Sequence, residues 1–234
     1  MKPKKTAHKK SIWRTVRRVF LWMFIAQFVY IIILRWVNPP FTVTQVVSFI
    51  KGHGLSRDYI SYDAMSTNAK LAVIGGEDQL FPDHNGFDLK SIKLAQKYNR
   101  KHPGKVRGAS TISQQVAKNV FLWQGGGWFR KGLEVYFTFM IETFWGKKRI
   151  LQMYLNVSEM GKGIFGIQSA ARSYFKKDAR SLTRIEAAQI AAALPNPVRF
   201  TVKPLSRYVS ARSANIQRQM NNLQGDPDIK ALLE

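Results

Sequence analysis

The longest unbroken apolar stretch of the chain lies near its start. Val19 to Leu34 is a run of 16 residues in which Gln27 is the one clearly polar side chain. As a helix it spans about 24 Å, short of a ~30 Å bilayer core. Continuing through Trp36 and Val37, with Arg35 snorkelling outward, adds about 4.5 Å. Trp22, Tyr30 and Trp36 suit the interfacial belts, and Asn38-Pro39-Pro40 stops the helix. The stretch has no polar stripe, which argues against a buried core helix. No small-residue cleavage site follows Leu34, which argues against a signal peptide. The pattern therefore predicts one uncleaved transmembrane anchor over 19–37, preceded by a basic segment over 1–18.

Past the anchor, Phe41 to Leu55 is apolar and β-branched, compatible with a strand or a short linker helix. Residues 38–57 are expected to act as a linker, and 58–234 as one domain without repeats. Helical patterns dominate that domain. Ser66 or Thr67 can cap a helix reaching Ile74, and Asp88 another through Gln96. Asn99 to Arg107, basic and containing Pro103-Gly104, reads as a loop. Thr111 with Gln114 forms a capping box opening a helix to about Val120. Gly125-Gly126-Gly127 breaks the pattern. Further helices are predicted over Trp128–Phe144, Lys147–Val157, Ile164–Phe175, Ile185–Ala193 (boxed by Thr183 and Glu186) and Arg207–Leu223. Strand signals are sparse after residue 60, and the tail after Leu223 carries no readable signal. The predicted class is mainly α.

Charge changes this picture. Lys and Arg number 37 against 14 Asp and Glu, a formal charge of +23, which calls for polyanionic partners: nucleic acid, an anionic bilayer or phosphorylated substrates. Eight of the cations stand in residues 1–18, with no acid before residue 58. That asymmetry places the N-terminus in the cytoplasm and the remainder outside, which argues against nucleic acid. The outer domain would then meet anionic headgroups. At 45 % hydrophobic, the chain can build a core. Without cysteine it has no disulfide, thiol nucleophile or Cys-ligated zinc.

Because acids are scarce, their positions inform. Glu77-Asp78 follows the apolar LAVIGG and precedes LFPDHNGFD. A carboxylate leaving an apolar helix end, with Gly75-Gly76 allowing close backbone approach, has the setting of a desolvated general base. A lone exposed turn acid is the blander alternative, as an ordinary turn histidine is for His84. Glu134 in WFRKGLE shares a helix face with Arg130 and Lys131. As a solvated ion-pair face this would be worth about 0.2–0.5 kcal/mol per pair, but the following VYFTFMIETFW is too apolar for free solvation. Between the acids, GASTISQQVAKN over 108–119 is either a plain capped helix start or a helix N-terminus that receives a phosphate or sugar oxygen. The histidines at 8, 53, 84 and 102 show no metal-ligand spacing. There is no GxSxG elbow or P-loop, and the SxxK at Ser173–Lys176 lacks its KTG companion.

Singly these features are weak; their order is specific. EDQLFPDHNGFD, GASTISQQVAKN, RKGLE, KKRILQMYLN with GKGIFG, and LTRIEAAQIAAALPNP resemble the five ordered motifs of the peptidoglycan glycosyltransferases, over about Lys70 to Phe200. With an N-terminal anchor and no transpeptidase, the chain resembles the monofunctional biosynthetic branch. The resemblance implies a lysozyme-like, mainly helical domain on the outer, periplasmic face of the bacterial inner membrane. Its substrates would be lipid II and the growing undecaprenyl-diphosphate-linked glycan, with other cell-wall synthases open as docking partners. By the same match Glu77 is the catalytic base and Glu134 the second essential carboxylate. Substrate binding falls to Asp78, Phe81 and His84 of the first motif, and to Ser110, Thr111, Gln114, Gln115 and Lys118 of the second. Arg130 and Lys131 come from the third motif, and Asn156 and Gly161 from the fourth. A divalent cation, Mg²⁺, held with Glu134 is expected from diphosphate chemistry.

One departure stands out: where relatives carry a diphosphate-binding arginine before RKxxE, this chain has Gly126 in QGGGW. Gly126→Arg is therefore expected to leave activity unchanged or raise it. Competing readings are a lytic transglycosylase or muramidase, separable by lipid II polymerisation against fragment release, and a non-enzymatic wall-machinery scaffold, in which Glu77→Gln would keep full function.

Overall fold

The computed structural model describes residues 5–104 and 108–234, with side chains from residue 12 onward. It comprises two units, Met1–Val37 and Asn38–Glu234. In the first, α1 (Lys5–Ile33) is one continuous helix. Its membrane-length part is Ile12–Ile33, 22 residues with mean hydropathy 1.8. That is about 33 Å of helix, enough for a bilayer core. The expected bounds of 19–37 shift accordingly. The helix begins inside the basic segment, because Lys and Arg are good helix formers. It ends before Asn38-Pro39-Pro40, whose preceding backbone disfavours the helical region.

The second unit starts with α2 (Val43–Ile50), whose N-terminus carries a full capping box of Thr42 and Gln45. Thr44 Oγ1 donates to the Asn119 carbonyl at 3.4 Å, and Gln45 and Ser48 are buried. Residues 38–57 are thus part of the folded unit, which corrects the expected linker. The strand β1 (Ser56–Arg57) follows, then a 3-10 turn over Tyr62–Ala64. Ser66 caps α3 (Thr67–Glu77), which runs three residues past Ile74 to end on Glu77. Asp88 caps α4 (Leu89–Lys101) by accepting the Ser91 N–H at 2.9 Å. This helix continues through residues expected to form a loop; of that loop, 105–107 lie outside the described residues.

The capping box of Thr111 and Gln114 forms as predicted and opens α5 (Ile112–Phe121). Gly127 starts α6 (Trp128–Phe144), and α7 (Lys147–Val157) follows one turn later. Then come β2 (Glu159–Gly161) and β3 (Ile164–Phe165), giving a small sheet of order β1-β3-β2, β1 parallel and β2 antiparallel to β3. Residues 164–165, expected to be helical, are therefore strand, and α8 (Ile167–Phe175) starts after Gly166. The remainder is α9 (Arg184–Ala193), α10 (Arg207–Leu223) and α11 (Pro227–Leu233).

Two helical layers carry the core. α3, α9 and α10 pack on one another, and α5 packs against both α6 and α7. Ala187, Ala188, Ala191, Ala192 and Ala193 are buried on α9, small enough to bring α3 close. On α7, Ile150, Leu151, Met153 and Leu155 are fully buried, each worth roughly 1.5–3 kcal/mol of transfer free energy. The functional carboxylates stand on these packed helices rather than on loops.

Candidate active site

Glu77 occupies the last position of α3 and Asp78 is its C-cap. A Cβ at Gly76 would lie 3.1 Å from Ile216 Cδ1, so glycine lets α10 approach closely there. Arg212, one turn before Ile216, thereby reaches the end of α3. Its Nη2 donates to Gly76 O at 3.0 Å and to Glu77 Oε1 at 3.3 Å. From α5, Gln115 Nε2 donates to Glu77 Oε2 at 2.9 Å, and the buried Tyr154 of α7 donates its hydroxyl to Gln115 Oε1 at 3.2 Å. The Glu77 side chain is 12 % exposed. Burial raises its pKa above the ordinary carboxylate range, opposed by the hydrogen bond from Gln115 and the charge of Arg212.

Asp78 organises the loop that follows. Its Oδ2 accepts the Ile112 N–H at 2.9 Å, at the positive end of α5. His84 Nε2 lies 3.0 and 3.1 Å from its two oxygens. His84 Nδ1 accepts the Gly86 N–H at 3.1 Å, so Nε2 carries the hydrogen and donates to Asp78. Thr111 Oγ1 donates to Gly86 O at 2.7 Å. Lys147 donates to His84 O and, at 2.8 Å, to Glu142, which also accepts from Ser113. Each end of the loop is tied to the α5–α6–α7 layer.

Glu134, buried on α6, has Arg130 Nη1 at 2.7 Å on one oxygen and Lys131 Nζ on the other. Lys118 sits one turn beyond Gln115 on α5. Burial lowers its pKa, while the charges of Glu134 and Glu77 both raise it. One face of α5 thus connects the two glutamates, with Lys118 in electrostatic reach of each. Arg130 and Arg212 each retain a buried Nε–H with no hydrogen-bond partner. Such orphaned donors beside the two carboxylates suit an anionic ligand. A cavity of about 650 Å³ lined by Pro82, Asp83, Lys147 and Asp228 lies behind the loop and contains neither glutamate. Chemistry, not cavity size, marks the site.

The expected binding residues divide into two groups. Gln115, Lys118, Arg130 and Lys131 gather around Glu77 and Glu134, and Ser110 is exposed at the start of α5. The others face inward. Phe81 is fully buried, and Asp78 and His84 are spent on each other. Thr111 and Gln114 complete their capping box. Asn156 is fully buried, accepting the Ile60 N–H and donating to Ile60 O, both at 3.0 Å. Gly161 is buried against the Tyr174 hydroxyl, where a Cβ would collide. In this structure these side chains are engaged within the fold, whereas substrate contact is the expectation from the motifs. Arg212 was missed, because nothing local distinguishes it from the chain's other cations; its signal is only its place beside the buried stripe Val209, Ser213, Ile216 and Met220 of α10.

The donor set does not fit a resident divalent cation at Glu134. Both carboxylate oxygens are held by cations, and no group of three or more His, Asp or Glu gathers among the described residues.

A sequence model of the family described as Transglycosylase matches residues 44–221. The chain is 48 % identical over 221 residues to a biosynthetic peptidoglycan transglycosylase of Pseudomonas entomophila, covering 92 % of this chain and 93 % of that protein. It is 47 % identical over 223 residues to one from Pseudomonas aeruginosa, covering 93 % and 96 %. One from Xanthomonas campestris pv. campestris is 44 % identical over 232 residues, covering 93 % and 94 %.

Proposed function

The chain belongs to the transglycosylase family, and from that footing we propose that Glu77 is the base that activates the acceptor sugar while Lys118, Arg130 and Lys131 receive the departing diphosphate. The protein is a peptidoglycan glycosyltransferase of lysozyme-like, mainly helical fold that polymerises glycan strands for the cell wall. Its substrate class is lipid II or peptidoglycan.

In the reading we propose, the acceptor is lipid II and the donor is the undecaprenyl-diphosphate-linked glycan. Glu77 takes the proton of the acceptor 4-hydroxyl as that oxygen attacks the donor's anomeric carbon. The bond to the diphosphate breaks and its electron pair leaves with the phosphate oxygen. One displacement inverts an α-linked donor into a β-1,4 product. The leaving group is already stable as an anion, so fixed cations suffice and no protein acid is needed. Glu134 holds Arg130 and Lys131 in place by binding one with each oxygen. With both Glu134 oxygens held by Arg130 and Lys131, polymerisation should persist in EDTA, and its loss there would overturn a metal-free step.

The observation that carries this reading is the buried, cation-tempered Glu77 joined through one face of α5 to the Lys118–Arg130–Lys131 cluster. Purified wild type should convert lipid II into polymer, and Glu77→Gln should lose nearly all of it with unchanged folding. Full polymer from Glu77→Gln would overturn the assignment.

The apolar α1 fits a single-pass anchor. We place it in the inner membrane with the catalytic unit on the periplasmic face, supported by the eight cations before residue 19 and none of the acids. Contact of that unit with lipid is supported by Trp128, Phe129 and Phe139, which are 93 %, 76 % and 61 % exposed.

A further inference from the structure

Gln115 presents an ambidextrous group to Glu77. Its amide offers two donors on one side and a carbonyl on the other, and rotation by half a turn exchanges them. With Nε2 toward Glu77, the amide stabilises the ionised carboxylate; with Oε1 toward it, the amide repels that charge. A base in a buried site needs the first orientation held. On the far side of the amide the Tyr154 hydroxyl donates to Gln115 Oε1 at 3.2 Å. Tyr154 is 1 % exposed and stands on α7, whose neighbours Met153 and Leu155 are fully buried. Its hydrogen bond goes to Gln115, which in turn donates to Glu77.

We propose that Tyr154 is a positioning residue that locks the Gln115 amide with its nitrogen facing Glu77, so that the base is kept ionised and aimed. This rests on Glu77 being the base. The groups facing Glu77 are Arg212 from α10, Gln115 and Lys118 from α5, Asp78 beside it and the Tyr154 phenol from α7. Among them Gln115 and the Tyr154 hydroxyl can each reverse polarity without changing protonation, and in the structure the hydroxyl donates to Gln115 Oε1. Burial and the nearby Glu77 charge push the Tyr154 phenol well above the ordinary tyrosine range, so it remains a donor throughout the working pH range.

Tyr154→Phe removes the one oxygen and leaves the ring packing. The expected result is an acid limb of the pH–rate profile moved upward by about one pH unit, which lowers the rate about tenfold below the limb. The KM for lipid II should stay near wild type. Gln115→Leu should show a comparable displacement, and adding Tyr154→Phe to it should move the limb no further. A wild-type acid limb in Tyr154→Phe, or additive displacements in the double variant, would overturn the proposal. If Tyr154→Phe folds poorly, the limb of Gln115→Leu still decides: no displacement there refutes the relay. Glu77→Gln measured alongside separates the two layers. Its retention of activity would sink the base assignment, whereas an inactive Glu77→Gln with a wild-type Tyr154→Phe sinks only the lock.

Discussion

Glu77 shows how one side chain balances opposed requirements. Burial makes it a stronger base but favours its neutral form, and Arg212 and Gln115 return part of the preference for charge. As the proposed base, Glu77 works only when ionised, so activity should rise with pH through its pKa. Arg212→Gln removes a cation that lowers that pKa, so the acid limb of the polymerisation profile should move upward; a fixed limb would show that the Arg212 contact is idle. Stability carries the opposite sign. A carboxylate whose folded pKa is raised binds its proton more tightly when folded, so stability is lost as pH rises from the ordinary carboxylate range through the raised value. Glu77→Gln should therefore melt above wild type at neutral pH, with the gap shrinking toward acid pH in calorimetry. Gly126 changes an expectation made from the motif alone. Its φ is +96°, and a Cβ there would lie 3.1 Å from Arg130 Cβ and Cδ and 3.2 Å from Trp123 Nε1. Arginine at 126 strains the backbone and displaces Arg130, so Gly126→Arg should raise KM and reduce polymer. Gly127→Arg, where a Cβ meets nothing within 4 Å, should keep or raise activity in the same assay.

At the scale of elements, α5 does the most. Its N-terminus holds Asp78, its first turn is boxed, and its half-buried face carries Gln115 and Lys118. The box was readable because Thr111 and Gln114 stand three apart before an apolar run, and local hydrogen bonds alone specify it. Thr111→Val breaks both the cap and the tether to Gly86. It should cost about 1–2 kcal/mol, and thermal melting should fall by several degrees; an unchanged Tm would show that the tether is redundant. Less legible elements failed for specific reasons. The eight residues of α2 are too few and too apolar to show a period, so strand and helix could not be separated until Gln45 and Ser48 found partners in Tyr59 and Glu159. α11 did carry a signal: Asp226 accepts the N–H groups of Asp228 and Ile229, with Pro227 at the first helical position.

The whole molecule couples a polycation to a membrane-length helix and exposed aromatics. On the proposed reading, lipid-borne substrates and an anchored enzyme would share one surface, which would raise their effective concentration. If Trp128 and Phe129 meet the bilayer, the pair Trp128→Ser with Phe129→Ser should raise KM for lipid II in proteoliposomes several-fold. Tm should not change, because both side chains are already solvent-facing. An unaltered KM would place the contact elsewhere.

What the sequence determined by itself were the features that depend on neighbours along the chain: the apolar run, the helix caps, the mainly helical class and the order of the five motifs. Local hydrogen bonding and periodic burial need no knowledge of the fold. Tertiary structure alone decided which motif side chains gather around the two glutamates and which are tied up within the fold. Asn156 binding Ile60, Thr111 holding Gly86 and Arg212 reaching Glu77 across 135 positions are contacts between distant segments. Such pairings depend on how closely helices pack, which glycine at 76 and alanines on α9 permit here but which no run of neighbouring residues encodes.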